Sequence, residues 1–123
     1  MLNMQALEVE PSELQRRLGD TAKLVVLDVR QPEELLVATI EPLVTASGVH
    51  ELKSIPLMEL PDRLDELTTY RDEETPIVVL CRVGERSRMA TEFLSELGFT
   101  RVANLRGGIR AFARECDGTI PQY

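Results

Sequence analysis

Two runs of four residues, Leu24–Leu27 and Ile77–Leu80, are apolar throughout. A strand with one wet face alternates apolar and polar side chains, so unbroken runs fit strands covered on both faces. Such strands belong to a mostly parallel sheet with helices above and below it. Helical patterns fall where that arrangement needs them. Leu57, Leu60, Leu64 and Leu67 predict a helix near 60–69, opened by Pro61. Met89, Ala90, Phe93, Leu94 and Leu97 form a second stripe, ended by Gly98. Val102–Leu105 reads as another strand, and Gly107-Gly108 turns into a last short helix over 109–114. Nearer the start, Glu8-Val9 reads as a short strand. Ser12 is expected to cap a helix, with Gln15 completing the capping box, Leu14 and Leu18 on one face and Gly19 at its end. Pro32-Glu33-Glu34 has the look of a first helical turn, with proline at its first position and acids at the positive dipole end. Residues 41–54 carry Pro42, Ser47 and Gly48 with no clean period, which predicts a loop with a short strand near Ser54-Ile55. The alternation of strand and helix predicts an α/β fold of three layers, α/β/α, forming one domain over 1–123.

The strand Ile77–Leu80 ends on Cys81, and the residues after it are polar apart from Val83 and Gly84. Free N–H groups and partial positive charge gather where a helix starts, so an anion is favoured there. A thiolate is such an anion. Three arginines (Arg82, Arg86, Arg88) against Glu85 give residues 81–88 a local charge of +2 on a chain of net charge −7. Gly84 permits the positive φ that folds amides inward. Cys81 is therefore a candidate nucleophile with an expected lowered pKa. The plain alternatives are a buried inert cysteine and a solvated helix start.

Composition narrows the partners. At 123 residues the chain can bury roughly two-thirds of its unfolded surface. A net charge of −7 argues against nucleic acid, which needs a basic face. No apolar run approaches the length of a membrane span. Met1-Leu2-Asn3-Met4-Gln5 lacks the pattern of a secretory leader, and two cysteines without one predict a reducing cytoplasm. One histidine, His50, and two cysteines far apart in sequence cannot make a typical metal site, and no cofactor is implied. His50 reads as a surface or packing residue. Cys116, between Glu115 and Asp117, reads as structural because neighbouring acids disfavour its thiolate.

The segment Cys81-Arg82-Val83-Gly84-Glu85-Arg86-Ser87 resembles the active loop of single-domain rhodaneses, C-R-x-G-x-R-S. Leu27-Asp28-Val29-Arg30, with Glu33 following, is similar to the D-V-R run of that family. Leu105-Arg106-Gly107-Gly108-Ile109-Arg110-Ala111-Phe112 is similar to its G-G-[ILMV]-x-x-W segment. The ending, with Asp117, Pro121 and Tyr123, resembles the rhodanese domain of molybdopterin-synthase-sulfurylase-like proteins, which pass sulfur to ubiquitin-like carriers. The resemblance implies a sulfurtransferase. Cys81 would take a sulfane sulfur from a small anionic donor such as thiosulfate, or from a protein persulfide, and pass it to a nucleophilic acceptor. Arg82, Val83, Gly84, Glu85, Arg86 and Ser87 would bind the sulfur and its donor, with Arg86 orienting the loop, Arg82 facing the donor and Ser87 capping the helix or bonding the sulfur. Asp28 and Arg30 would be structural, in a buried Asp28–Arg30 or Asp28–loop ion pair.

The other readings are an interaction module, or a relay to a ubiquitin-like thiocarboxylate protein without efficient thiosulfate turnover. Cysteine phosphatases place five residues between Cys and Arg, whereas four separate Cys81 from Arg86, and Glu85 would repel a phosphate dianion. Two departures stand out. The family's H-x-P-G-A segment is not recognisable in 48–57, so 37–52 looks altered or lengthened, with a displaced His50. Phe112 stands where the family often has Trp.

Overall fold

The computed structural model describes residues 7–123; Met1–Gln5, read above for a leader, lie outside them. Five parallel strands form the central sheet: β1 Glu8–Val9, β2 Val25–Asp28, β3 Glu51–Ser54, β4 Ile77–Leu80 and β5 Val102–Leu105, in the order β1-β5-β4-β2-β3. Every residue of β2 and β4 is buried, as unbroken apolar runs require. Pairing aligns Val25 with Ile77 and Asp28 with Leu80, so both strands end level. Cys81, one residue beyond β4, therefore emerges just past the Asp28–Leu80 pair at the carboxyl edge, where ligands gather in open parallel sheets.

Helices cover both faces. On one side α1 Pro11–Leu18, α2 Pro32–Val37, α3 Glu41–Thr45 and α6 Gly108–Glu115 surround a core of Leu14, Val26, Ile40, Val44, Val78, Leu80, Ile109 and Phe112. On the other, a 3-10 segment Leu57–Glu66, α4 Thr68–Asp72 and α5 Glu85–Glu96 pack on Val25, Leu27, Val79, Leu60, Leu67, Ala90 and Leu94. Phe112 is buried, filling its place without the larger indole.

Several expectations give way to local geometry. α1 starts at Pro11 with Glu10 as N-cap, so Ser12 lies inside the helix rather than capping it. Proline at the first position sets the helical φ itself. The stretch read as a loop holds α3, again opened by a proline near its start, and all of β3. β3 is an edge strand, only partly buried, so it needs no apolar run and shows none. The helix expected at 60–69 is instead the 3-10 segment followed by α4. Pro61 sits inside that segment and Arg63 leaves helical geometry at φ −121°, ψ 21°. A proline ring cannot donate to the preceding turn and clashes with it, which breaks an α-helix there. In α5 the buried face is Ser87, Ala90, Thr91 and Leu94. Met89 is 56% exposed and Leu97 also faces solvent, because the small polar residues, not the methionine, meet the sheet.

The start of α6 lies hard against the loop after β4. Ile109 N–H donates to Cys81 O (2.9 Å) and Arg110 N–H to Arg82 O (3.1 Å). Gly108 adopts φ +66°, and a Cβ there would lie 2.3 Å from Arg82 O and 2.6 Å from Cys81 O. Main chain cannot yield as a side-chain tip can. Gly108→Ala should lower stability by about 2–3 kcal/mol and displace the loop; urea unfolding and the reaction rate of Cys81 with a thiol reagent measure both effects.

Candidate active site

Cys81 is 1% exposed, at the floor of the loop. Its Sγ accepts two hydrogen bonds, from Gly84 N–H (3.0 Å) and from Ser87 Oγ (3.2 Å). Both donors favour negative charge on sulfur. Gly84 is the N-cap of α5 and has φ +107°, a conformation that L side chains rarely adopt. The turn it makes brings its own N–H back onto the sulfur. Its carbonyl accepts from Arg88 N–H (3.1 Å) and from Asn104 Nδ2 (3.2 Å), which fixes the loop to α5 and β5. Ser87 is wholly buried on the first turn of α5, so it bonds the sulfur instead of capping the helix.

The loop arginines are engaged elsewhere. Arg86 makes a two-pronged pair with Glu34 of α2, Nη1–Oε2 2.7 Å and Nη2–Oε1 2.9 Å. Glu34 Oε1 also accepts from the Tyr123 hydroxyl (2.8 Å), and Oε2 from Gln31 N–H (2.9 Å). The bond from Arg86 is the largest cause holding the Glu34 carboxyl down at about 2, against a cost from burial. Arg82 turns toward Tyr123: its Nε donates to the Tyr123 main-chain oxygen, and its guanidinium stands 4.8 Å from the centre of that ring. Val83 is 45% exposed, and Glu85 is exposed at the first position of α5.

Behind this layer lies the expected Asp28–Arg30 pair. Arg30 Nη2 meets Asp28 Oδ2 at 2.7 Å and Nε meets Oδ1 at 2.9 Å, with both side chains essentially inaccessible. Arg30 also donates to Ala38 O (2.9 Å), Glu34 O (3.3 Å) and the Tyr123 hydroxyl (2.9 Å).

The sequence reading thus finds Cys81, Gly84 and Ser87 brought together around one sulfur. It misses Glu34 and Tyr123. The acid that reaches the loop is Glu34, not Glu33, which is exposed. The sequence reading set Glu33 beside the D-V-R run, one position short of Glu34, and Tyr123 had no signal beyond the family-like ending. His50 packs as expected: its Nδ1 accepts from Leu24 N–H (3.2 Å), and its Nε2 lies within 3.2 Å of Leu18 O and 3.1 Å of Asp20 O. Burial and the charges of Glu115 and Asp117 push the Cys116 thiol up.

The chain is similar to known proteins in both sequence and fold. The model of the Rhodanese-like domain matches residues 10–115. The chain belongs to the rhodanese-like domain family. A sulfurtransferase of Allochromatium vinosum is 35% identical over 108 residues, covering 87% of this rhodanese-like chain and 88% of that protein. The Zea mays adenylyltransferase and sulfurtransferase MOCS3-1 is 32% identical over 90% of the chain, which spans only 22% of that protein. A crystal structure of a rhodanese-related protein from Thermoplasma volcanium superposes with a TM-score of 0.72 at 29% identity, covering 94% and 98% of the two chains.

Glu34 gives this rhodanese-like domain an acid-sensitive joint. Its folded pKa lies below the ordinary 4.5, so its contribution to stability is complete above pH 4.5 and is lost as pH falls toward about 2. Glu34→Gln should flatten the stability profile across that window while lowering stability at pH 7, as urea unfolding at stepped pH will measure.

Proposed function

We propose that Cys81 is the nucleophile of a rhodanese-like sulfurtransferase and carries the transferred sulfur as a persulfide. The observation that supports this most is the pair of donors, Gly84 N–H and Ser87 Oγ, converging on one buried sulfur. In the first half-reaction the Cys81 thiolate attacks the outer sulfur of a donor. A new S–S bond forms as the donor's own S–S bond breaks, and the bonding pair leaves with sulfite from thiosulfate or with a thiolate from a persulfide. In the second half-reaction an acceptor nucleophile attacks the terminal sulfur, and the Cys81 thiolate is released.

The added sulfur sits about 2.05 Å beyond Sγ. It needs donors one atom further out than those that bond Sγ itself. The N–H groups of Glu85, Arg86 and Ser87, in the first turn of α5, have no carbonyl one turn earlier to bond. They and the helix dipole are the groups that would receive the anionic terminal sulfur. Ser87 can follow the charge by rotating its hydroxyl.

The Allochromatium vinosum relative is a sulfurtransferase matched over most of both chains, which supports turnover over a purely docking role. The Zea mays match supports a protein as acceptor, in a relay to a ubiquitin-like thiocarboxylate carrier. No helix of the described residues is long and apolar enough to cross a membrane. A catalytic thiol that must stay reduced fits a cytoplasmic setting.

Treatment with thiosulfate should add about 32 Da to the peptide that contains Cys81, read by mass spectrometry, and Cys81→Ser should abolish both that addition and thiocyanate formation from cyanide. Persulfide on Cys116 alone would overturn the assignment. Ser87→Ala removes one of two donors and should lower kcat by about 10- to 100-fold with the fold intact, checked by steady-state kinetics beside a thermal melt.

A further inference from the structure

Thiosulfate brings two negative charges to a thiolate that already has one, and sulfite leaves with two. A thiol persulfide brings one and leaves one on a thiolate. The extra charge of thiosulfate must be offset by cations near the sulfur. The loop itself carries two, Arg82 and Arg86, and both are committed. Arg86 is held by both oxygens of Glu34. Arg82 is held by the main-chain oxygen and ring of Tyr123.

Tyr123 is anchored firmly enough to keep that hold. Its hydroxyl donates to Glu34 Oε1 (2.8 Å) and accepts from Arg30 Nη1 (2.9 Å). Arg30 has a wholly inaccessible side chain tied to Asp28. The Tyr123 ring stands between two guanidiniums, 5.8 Å from Arg30 and 4.8 Å from Arg82, each attracted to it by the ring's quadrupole. One tyrosine thus touches Arg30 and Arg82 directly and reaches Arg86 through Glu34.

We infer that Tyr123 and Glu34 are specificity-determining positioning residues: they withhold Arg82 and Arg86 from doubly charged donors and so adapt the Cys81 loop to a singly charged thiol persulfide. This rests on the reading of Cys81 as the sulfur-accepting nucleophile. The reaction with the favoured donor balances: the Cys81 thiolate and R–S–S⁻ become the Cys81 persulfide anion and R–S⁻, two negative charges before and after.

The test compares thiosulfate with cysteine persulfide, whose net charge is −1, as donors to the full chain, with cyanide as acceptor. Tyr123→Ala removes the anchor that holds Arg82. It should lower the KM for thiosulfate about five- to tenfold while changing that for cysteine persulfide less than about twofold. In an Arg82→Ala background the same substitution should leave the thiosulfate KM unmoved, since the gain passes through that guanidinium. Glu34→Gln keeps the hydrogen-bonding shape but not the charge. It should shift the thiosulfate KM in the same direction, and it decides the matter if Tyr123→Ala does not fold in a thermal melt. A thiosulfate KM unchanged or raised in the folded variants, or an equal shift for both donors, overturns the inference. Absence of persulfide on Cys81 with either donor overturns instead the reading on which it rests.

Discussion

Sulfur is a weak hydrogen-bond acceptor, so a main-chain N–H reaches it only if the chain is bent back to present one. The contact from Gly84 to Cys81 Sγ (3.0 Å) depends on a left-handed turn four residues after the strand. That turn needs room on its far side. A Cβ on Gly84 would already touch Gly107 N at 3.4 Å and Leu105 O at 3.7 Å. Gly107 and Gly108 are themselves left-handed, and Gly108 lets α6 come within bonding distance of the loop carbonyls. The first amides of α6, lacking partners in their own helix, serve Cys81 O and Arg82 O. The loop is therefore held from inside by its sulfur and from outside by a second helix start. Neither hold works without the other, since a relaxed loop would carry the Gly84 N–H away from Sγ.

What could be read in the sequence divides along the same line. The fully buried strands β2 and β4 and the loop that follows β4 are local patterns, and each appears where the apolar runs and the glycine place it. The edge strand β3 takes its conformation from pairing with β2, and its own residues, Glu51 and Lys53 among them, carry no apolar signature. The 3-10 segment shows the helical leucine spacing, yet Pro61 decides its geometry. Glu34 and Tyr123 reach the loop across 52 and 41 positions of sequence. No short-range periodicity reports contacts of that kind. Composition placed positive charge beside Cys81 but could not say which carboxylate would answer it.

The departures from the family pattern lie away from the sulfur. His50, displaced from its usual segment, closes the connection between α1 and β2: it satisfies the Leu24 amide and reaches the carbonyls of Leu18 and Asp20. The Leu24 amide is buried, and leaving it without a partner would cost roughly 1–3 kcal/mol. The histidine is thus used for polar closure in the altered stretch, and Phe112 keeps the apolar packing beneath α6. Both changes alter how the scaffold is closed and leave the groups around Sγ in place.

Pairing the loop arginines has a consequence beyond any one donor. Two free guanidiniums beside a helix start would form a general anion site, open to phosphate, sulfate and chloride. An ion seated there would block approach to Cys81, which at 1% exposure has little room to spare. With Arg86 answered by Glu34 and Arg82 by Tyr123, what remains uncommitted is the row of first-turn amides in α5. The pull of these amides falls off within the first turn of the helix, a shorter reach than that of a free guanidinium. A sulfur already delivered to the loop floor can use them, whereas a hydrated ion outside gains little. Selectivity at this site thus depends on carboxylate and tyrosine contacts that keep the strong cations occupied.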